Sequence, residues 1–411
     1  MRVSPTVTDF LLLAVLTAAI GVGWLLGKRS VSRTLNLWDF GASPPSQYYR
    51  GLNFLLDGSQ DSAIDAFTKA LEVNAETFDT HIALGNILRR RGEVERAIKV
   101  HQNLLARPSL PLAQLHLSHL ELARDYISAG LLDRSERLLK DLVAESGDHQ
   151  RVAQRHLLEI YEAQRDWNQA MLIATELLPR RGLLKAKSSE AEEVGQPVPI
   201  LLAHYCCEKA EEAVAQLDYQ TGRNYLQQAL KYDAASVRAT MTLGDLEIKA
   251  DNPERAIKVL KSLAQQEPGF VAESVPLLKQ AFYALDRREE FLAYLEDCLR
   301  RAPNTPLILA IAFELRDAAG ATAAKTFLRQ HLQKKPSLRG LELLMQLHSQ
   351  SEVGEDEALE LATINKLVAG RSSYRCGHCG FRGQQLHWHC PGCKHWGSIR
   401  DLSATGEIEY V

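Results

Sequence analysis

The stretch HIALGNILRRRGEVERAIKVHQNLLARP, residues 81–108, decides the fold. Its counterpart YYRGLNFLLDGSQDSAIDAFTKALEVN, residues 48–74, places Gly51 34 residues ahead of Gly85. Ala63 and Ala97 follow their glycines by 12 residues, and Ala70 and Leu104 by 19. The spacing returns in MTLGDLEIKADNPERAIKVLKSLAQQEP, residues 241–268, through Gly244, Ala256, Leu263 and Pro268. A self-similar period of this length reads as a pair of antiparallel helices repeated along the chain. Glycine in the first helix lets it approach the second, and the small residue 12 positions on is expected to receive that contact. Proline then stops the second helix.

The pattern resembles the tetratricopeptide repeat, which implies an all-α superhelical solenoid. Weaker copies run through Ala123, Tyr126, Leu139 and Leu142, then Tyr161, Ala170 and Leu177, then Ala210, Gly222, Leu226 and Ala229. Pro303 and Pro336 close two further units, and residues 340–369 supply one more helix pair or part of one, giving about eight or nine units over 46–369. Between Leu158 and Ala210 the interval grows to 52 residues. The surplus falls near 180–199, RRGLLKAKSSEAEEVGQPVP, whose charge, Gly, Ser and Pro mark an inserted loop. Composition agrees with a folded protein: 45% hydrophobic and 24% charged residues, with a net charge of −3 that gives no support to a general polyanion binder.

A helical array of this kind offers a long face lined by the first helix of each unit rather than a pocket built for chemistry. That face is expected to include Tyr48, Leu52, Asn86, Arg89, Leu120, Arg124, Arg155 and Glu159, with Arg89, Arg124 and Arg155 as candidate contacts for an acidic segment. The array carries no phosphate-binding GxxxxGK loop, no HExxH helix and no nucleophile–base pair. No catalytic residue is assigned, and the chain reads as a non-enzyme.

Residues 10–26, FLLLAVLTAAIGVGWLL, carry no charge and with their flanks reach the length of a membrane-spanning helix. A short segment, 1–9, precedes them and a juxtamembrane linker, 27–45, follows. Only Arg2 lies before the apolar run, whereas Lys28, Arg29 and Arg33 lie after it. The positive-inside rule then puts the N-terminus outside the cytoplasm and the remainder within it. Gly23 and Gly27 form a small-xxx-small stripe suited to a second membrane helix.

Four of the seven cysteines occur in YRCGHCGFRGQQLHWHCPGCKHWG, residues 374–397. Cys376–Cys379 and Cys390–Cys393 are two C-x-x-C knuckles, the pattern of a tetrathiolate metal site in a small ribbon spanning 370–411. Zinc is the expected ion, and iron would accept the same ligands. His378, His387, His389 and His395 read as surface residues beside a complete ligand set. Phe381, Trp388 and Trp396 interleave with Arg375, Arg382, Lys394 and Arg400. That mixture fits either a nucleic-acid stacking surface or an aromatic side docked onto the last repeats, and so little core favours docking. Cys206, Cys207 and Cys298 read as inert core thiols.

Anchor, repeat array and ribbon, with the tail CGHCGF…HWHCPGCKHWGSI, together resemble the lipopolysaccharide assembly protein B family of inner-membrane proteins over essentially the whole chain. The resemblance, and not the spacing, implies the rest. It implies an inner-membrane adaptor that regulates lipopolysaccharide synthesis by promoting proteolysis of the deacetylase LpxC by the membrane protease FtsH. It also implies restraint by an inner-membrane partner through the anchor helix, contacts with other lipopolysaccharide synthesis proteins, and one metal on Cys376, Cys379, Cys390 and Cys393. Self-association is left open. A rubredoxin-type electron carrier and a tethered nucleic-acid-binding ribbon stand as the alternatives.

Overall fold

The computed structural model describes residues 46–73, 78–107, 110–178, 195–348, 355–369 and 372–402. The expected membrane helix at 10–26, with Gly23 and Gly27, and most of the 180–199 loop lie outside these residues. Among the described residues no helix is long and apolar enough to cross a membrane.

Nine helix pairs follow one another among the described residues, and they divide into two compact units between His149 and Gln150. The first unit holds α1 (Ser46–Leu56), α2 (Gln60–Val73), α3 (Phe78–Arg90), α4 (Val94–Leu105), α5 (Leu112–Ser128) and α6 (Leu132–Glu145). The second opens with α7 (Gln150–Gln164), α8 (Trp167–Leu177), α9 (Val198–Ala215), α10 (Tyr219–Tyr232), α11 (Val237–Lys249) and α12 (Pro253–Lys261). A short α13 (Leu263–Gln266) and a 3-10 turn at Pro268–Phe270 lead to α14 (Val271–Ala284) and α15 (Arg288–Arg301). The last pairs are α16 (Thr305–Ala319) with α17 (Ala321–Lys334) and α18 (Leu338–His348) with α19 (Glu355–Ala369).

Seven of the nine pairs are joined by the same device. One or two residues past the first helix the chain turns left-handed, and the next N–H reaches back five residues to the helix. Examples are Ser59 N to Phe54 O at 2.8 Å, Asp166 N to Tyr161 O at 2.9 Å and Asn252 N to Glu247 O at 2.8 Å. Gly58, Gly92 and Gly130 hold the left-handed position in the first unit, whereas Arg165, Leu217, Asp251 and Asp286 hold it in the second. Asp166 and Asp218 then cap the second helices by accepting from Gln169 N and Thr221 N. These turns keep the 34-residue register from Leu217 to Asp251, and the interval from Arg165 to Leu217 opens to 52 residues.

The glycine contact differs from expectation by one helical turn. Ala63, Ala97 and Ala256 are fully buried, but the side chain pressed onto each glycine comes from 16 residues later. A Cβ on Gly51 would stand 2.7 Å from Phe67, one on Gly85 2.3 Å from His101, and one on Gly244 2.4 Å from Leu260. Gly244→Ala is therefore expected to destabilise the second unit by about 1–3 kcal/mol, the range for overpacking a filled core. Denaturant unfolding with an unchanged m-value would check it.

Cys206 and Cys207 are fully buried in α9, where burial pushes both thiols up to about 12, and Cys298 is buried in α15. These are packing residues. In α9, residues 201–207 are buried consecutively, which takes the buried surface nearly twice around the helix. Packing against neighbouring repeats on one side cannot produce that pattern, so a second body covers the opposite face.

Candidate metal centre and its docking site

The covering body is the ribbon. Its three strands, β1 (Tyr374–Cys376), β2 (Arg382–Gly383) and β3 (Ile399–Asp401), form an antiparallel sheet in the order β2-β1-β3. Gly380 N bonds Cys376 O at 3.0 Å and Lys394 N bonds Cys390 O at 2.9 Å, so the two knuckles close in the same way. Both following residues, Gly380 and Lys394, are left-handed. Cys376 Sγ lies 3.7 Å from Cys393 Sγ, Cys379 Sγ lies 3.7 Å from Cys390 Sγ, and all four sulfurs fall within 4.8 Å of one another. A tetrahedral ion with metal–sulfur bonds of about 2.3 Å requires sulfur–sulfur edges of about 3.8 Å. The four thiols therefore fit one metal ion. Ser398 Oγ stands 3.2 Å from Cys376 Sγ, and His378 N donates to the same sulfur at 3.4 Å. Such donors stabilise thiolate charge.

The ribbon packs its aromatic side onto the first-helix face of the second unit. This corrects the expectation of docking on the last repeats alone. The final pair contributes Arg339 of α18, which donates to Ser373 Oγ. The aromatic contacts go instead to α7, the start of α8, α9, α11, the 3-10 turn and the start of α14. Trp396, 3% exposed, donates its indole N–H to Glu162 Oε1 of α7 at 3.1 Å. Its ring stacks on His204 of α9 at 5.0 Å and meets Tyr205 and Trp167 edge-on at 6.3 and 6.1 Å. The Arg238 guanidinium of α11 sits 5.4 Å from the same ring. Gln196, at the end of the inserted loop, accepts from Trp396 N at 2.6 Å and donates to Trp396 O at 2.8 Å. Trp388 stacks on Phe270 at 5.9 Å, Arg400 lies over the same ring, and Tyr374 donates to Glu273 of α14 at 2.8 Å.

Both tryptophans of the anticipated nucleic-acid stacking surface are thus turned into the array. His389 also departs from its surface reading, because it stacks on Trp396 at 4.4 Å and its Nε2 faces Glu162 at 3.9 Å. His378 and His395 do lie toward the surface, stacked on each other at 3.6 Å.

Burial governs the protonation of the dock. It pushes the Glu162 carboxyl above its ordinary value, against the bonds donated by Tyr205 and Trp396. Burial, reinforced by Arg238, takes His204 down to about 3, so its ring is neutral where it stacks on Trp396. Glu273 is likewise raised by burial. A carboxyl raised on folding stabilises the protonated side of its titration. The stability Glu162 contributes is full below its ordinary pKa and is lost as pH rises through the elevated one. Unfolding of the second unit should show that acid-side increment, and Glu162→Gln should flatten it; an unchanged pH profile would show that the carboxyl does not titrate in the dock.

The three candidate arginines are each engaged within the scaffold. Arg89 bonds Asp125 at 2.7 Å, Glu121 at 2.8 Å and Asn86 at 2.7 Å. Arg124 bonds Glu121 at 2.6 Å, and the buried His101 completes this network on Asp125 at 2.6 Å. In the second unit Arg155 donates to the Gln196 carbonyl at 2.8 Å, which places it behind the ribbon's clasp. The dock itself, Glu162, Gln196, His204, Tyr205, Arg238, Phe270 and Glu273, escaped the sequence reading. Its one signal was the run LLAHYCC at 201–207, apolar but for His204 and too wide for a helix covered on one side.

Repeat array and tetrathiolate ribbon together define a tetratricopeptide scaffold carrying a rubredoxin-type metal domain. Residues 80–111 and 213–274 match tetratricopeptide-repeat families, and residues 374–401 match the rubredoxin metal binding domain family. The chain belongs to the lipopolysaccharide assembly protein B family. It is 31% identical to the Escherichia coli (strain K12) protein of that name, over 95% of this chain and 98% of that one. It is also 31% identical to the Haemophilus influenzae protein, over 96% and 98%. Among solved structures, the P58(IPK) tetratricopeptide domain covers 78% of this chain at 16% identity with a TM-score of 0.25.

Proposed function

We propose that this protein is a membrane-tethered, non-catalytic adaptor acting in lipopolysaccharide assembly. Its likeness over nearly full length to relatives named for that process carries the reading. In this reading the apolar helix at 10–26 anchors the chain in the inner membrane with the repeats on the cytoplasmic side, and Gly23 and Gly27 contact a restraining membrane partner. The array presents LpxC to FtsH, and confinement to the membrane plane raises the effective concentration of the bound client. Arg89 and Arg124, still partly exposed beside Glu121, are the candidates for an acidic client segment in the first unit. Zinc on the four cysteines holds the ribbon folded in its dock.

Crosslinking in membranes followed by capture tests the reading, run in parallel with the chain lacking residues 1–27. The expected result is recovery of LpxC and FtsH with the anchored chain and a sharp fall without the anchor. Equal recovery from both would remove tethering from the mechanism, and recovery of neither would remove the adaptor role.

A further inference from the structure

Trp396 is held by the array in the manner in which peptide-binding proteins hold a ligand. One side of its backbone pairs with His389 in an antiparallel bridge, and the other is read by Gln196, whose amide meets both N–H and C=O. A side-chain amide used this way recognises the main chain of a strand-like segment whatever its side chains. The indole enters a slot of Trp167, His204 and Tyr205, with Glu162 placed for its N–H. Gly397 follows in a left-handed conformation, and a Cβ there would stand 3.1 Å from His204 Nε2. Main-chain clasp, aromatic slot, carboxylate acceptor and a wall that favours glycine next define a reader of a Trp-Gly pair. Every one of these array groups belongs to residues 162–205, about 200 positions away in sequence from the segment they hold.

The occupant's hold depends on its metal. The ribbon's own core is Cys376, Cys390 and Ile399, with Tyr374, Phe381, Leu386 and Cys393 partly buried against them, and three of these seven are thiol ligands. Without the ion little remains to keep Trp396 and Gly397 in a binding geometry. With it, tethering gives the ribbon an effective concentration of about millimolar or more, which excludes a free competitor.

We infer that this slot is a peptide-reading site of the array whose resident ligand is the ribbon, and that a partner segment presenting Trp-Gly on a strand-like backbone binds there once the ribbon's metal is withdrawn. Metal loading thereby decides between an internal and an external ligand. The probe is a fluorescein-labelled peptide with the sequence of residues 394–399, KHWGSI, titrated by fluorescence anisotropy with the full chain in detergent. Three forms are compared: zinc-loaded, chelator-treated, and zinc-loaded Trp396→Ala, which empties the slot while keeping all four cysteines. Far-UV circular dichroism reports the helices of each form. Expected is an affinity at least about tenfold higher for the second and third forms than for the first, and a loss of about tenfold or more when the peptide's own Trp is replaced by Ala. Equal affinity of loaded and chelated chains with intact helices would overturn the metal gate. A loaded Trp396→Ala chain that binds no better than wild type, or binds the Ala peptide as well, would overturn the slot. If chelation melts the helices, the Trp396→Ala comparison decides alone.

Discussion

Replacing Cys376 and Cys379 together by serine is expected to abolish metal binding and release the ribbon from the array. A structural zinc site is worth about 10–16 kcal/mol of apparent binding energy, far more than so small a fold can supply from packing. The consequence should be felt where the ribbon docks. Hydrogen exchange should accelerate in α7, α9, α11 and α14, whose Glu162, His204, Tyr205, Arg238 and Glu273 lose their cover. Metal analysis should fall from one equivalent to none, and the emission of Trp388 and Trp396 should shift to the red. Accelerated exchange confined to α18 and α19 would instead mean that the ribbon serves only the end of the array.

Trp396→Ala separates docking from metal binding. Truncating a buried tryptophan costs about 3–5 kcal/mol, and here it also leaves Glu162 without one of its two donors. The expected result is full metal content with a second unit that unfolds at clearly lower denaturant. Trp396→Phe keeps most of the ring packing and removes only the indole N–H, so about 1–3 kcal/mol should be lost with one of the two bonds the buried carboxyl accepts, Tyr205 still donating to the same oxygen. Equal losses for the two variants would assign the dock to the hydrogen bond rather than to the ring.

The repeat units were legible because helix packing is local. Gly51, Gly85 and Gly244 each meet a side chain 16 residues on in the same hairpin, and a short-range contact leaves a fixed period in the chain. The metal ligands were legible for the same reason, since a C-x-x-C turn positions its own two sulfurs and only the meeting of two turns is non-local. The three arginines were harder. A first-helix position says that Arg89 or Arg124 lies on the array's long face, but not that Glu121 and Asp125 of the next first helix already hold Arg89, or that Glu121 of its own helix holds Arg124.

By itself, then, the sequence determined the helical hairpins, the break in their spacing between Leu158 and Ala210 and a four-thiol site, all written in spacings within one repeat or between neighbouring ones. Only the tertiary structure decided where that site rests. Trp396 meets Gln196 across 200 residues and Glu162 across 234, and no local pattern encodes such a pairing. It depends on the stacking angle of successive repeats, which brings the chain's end back beside α7 and α9, and on a slot assembled from side chains of several different helices.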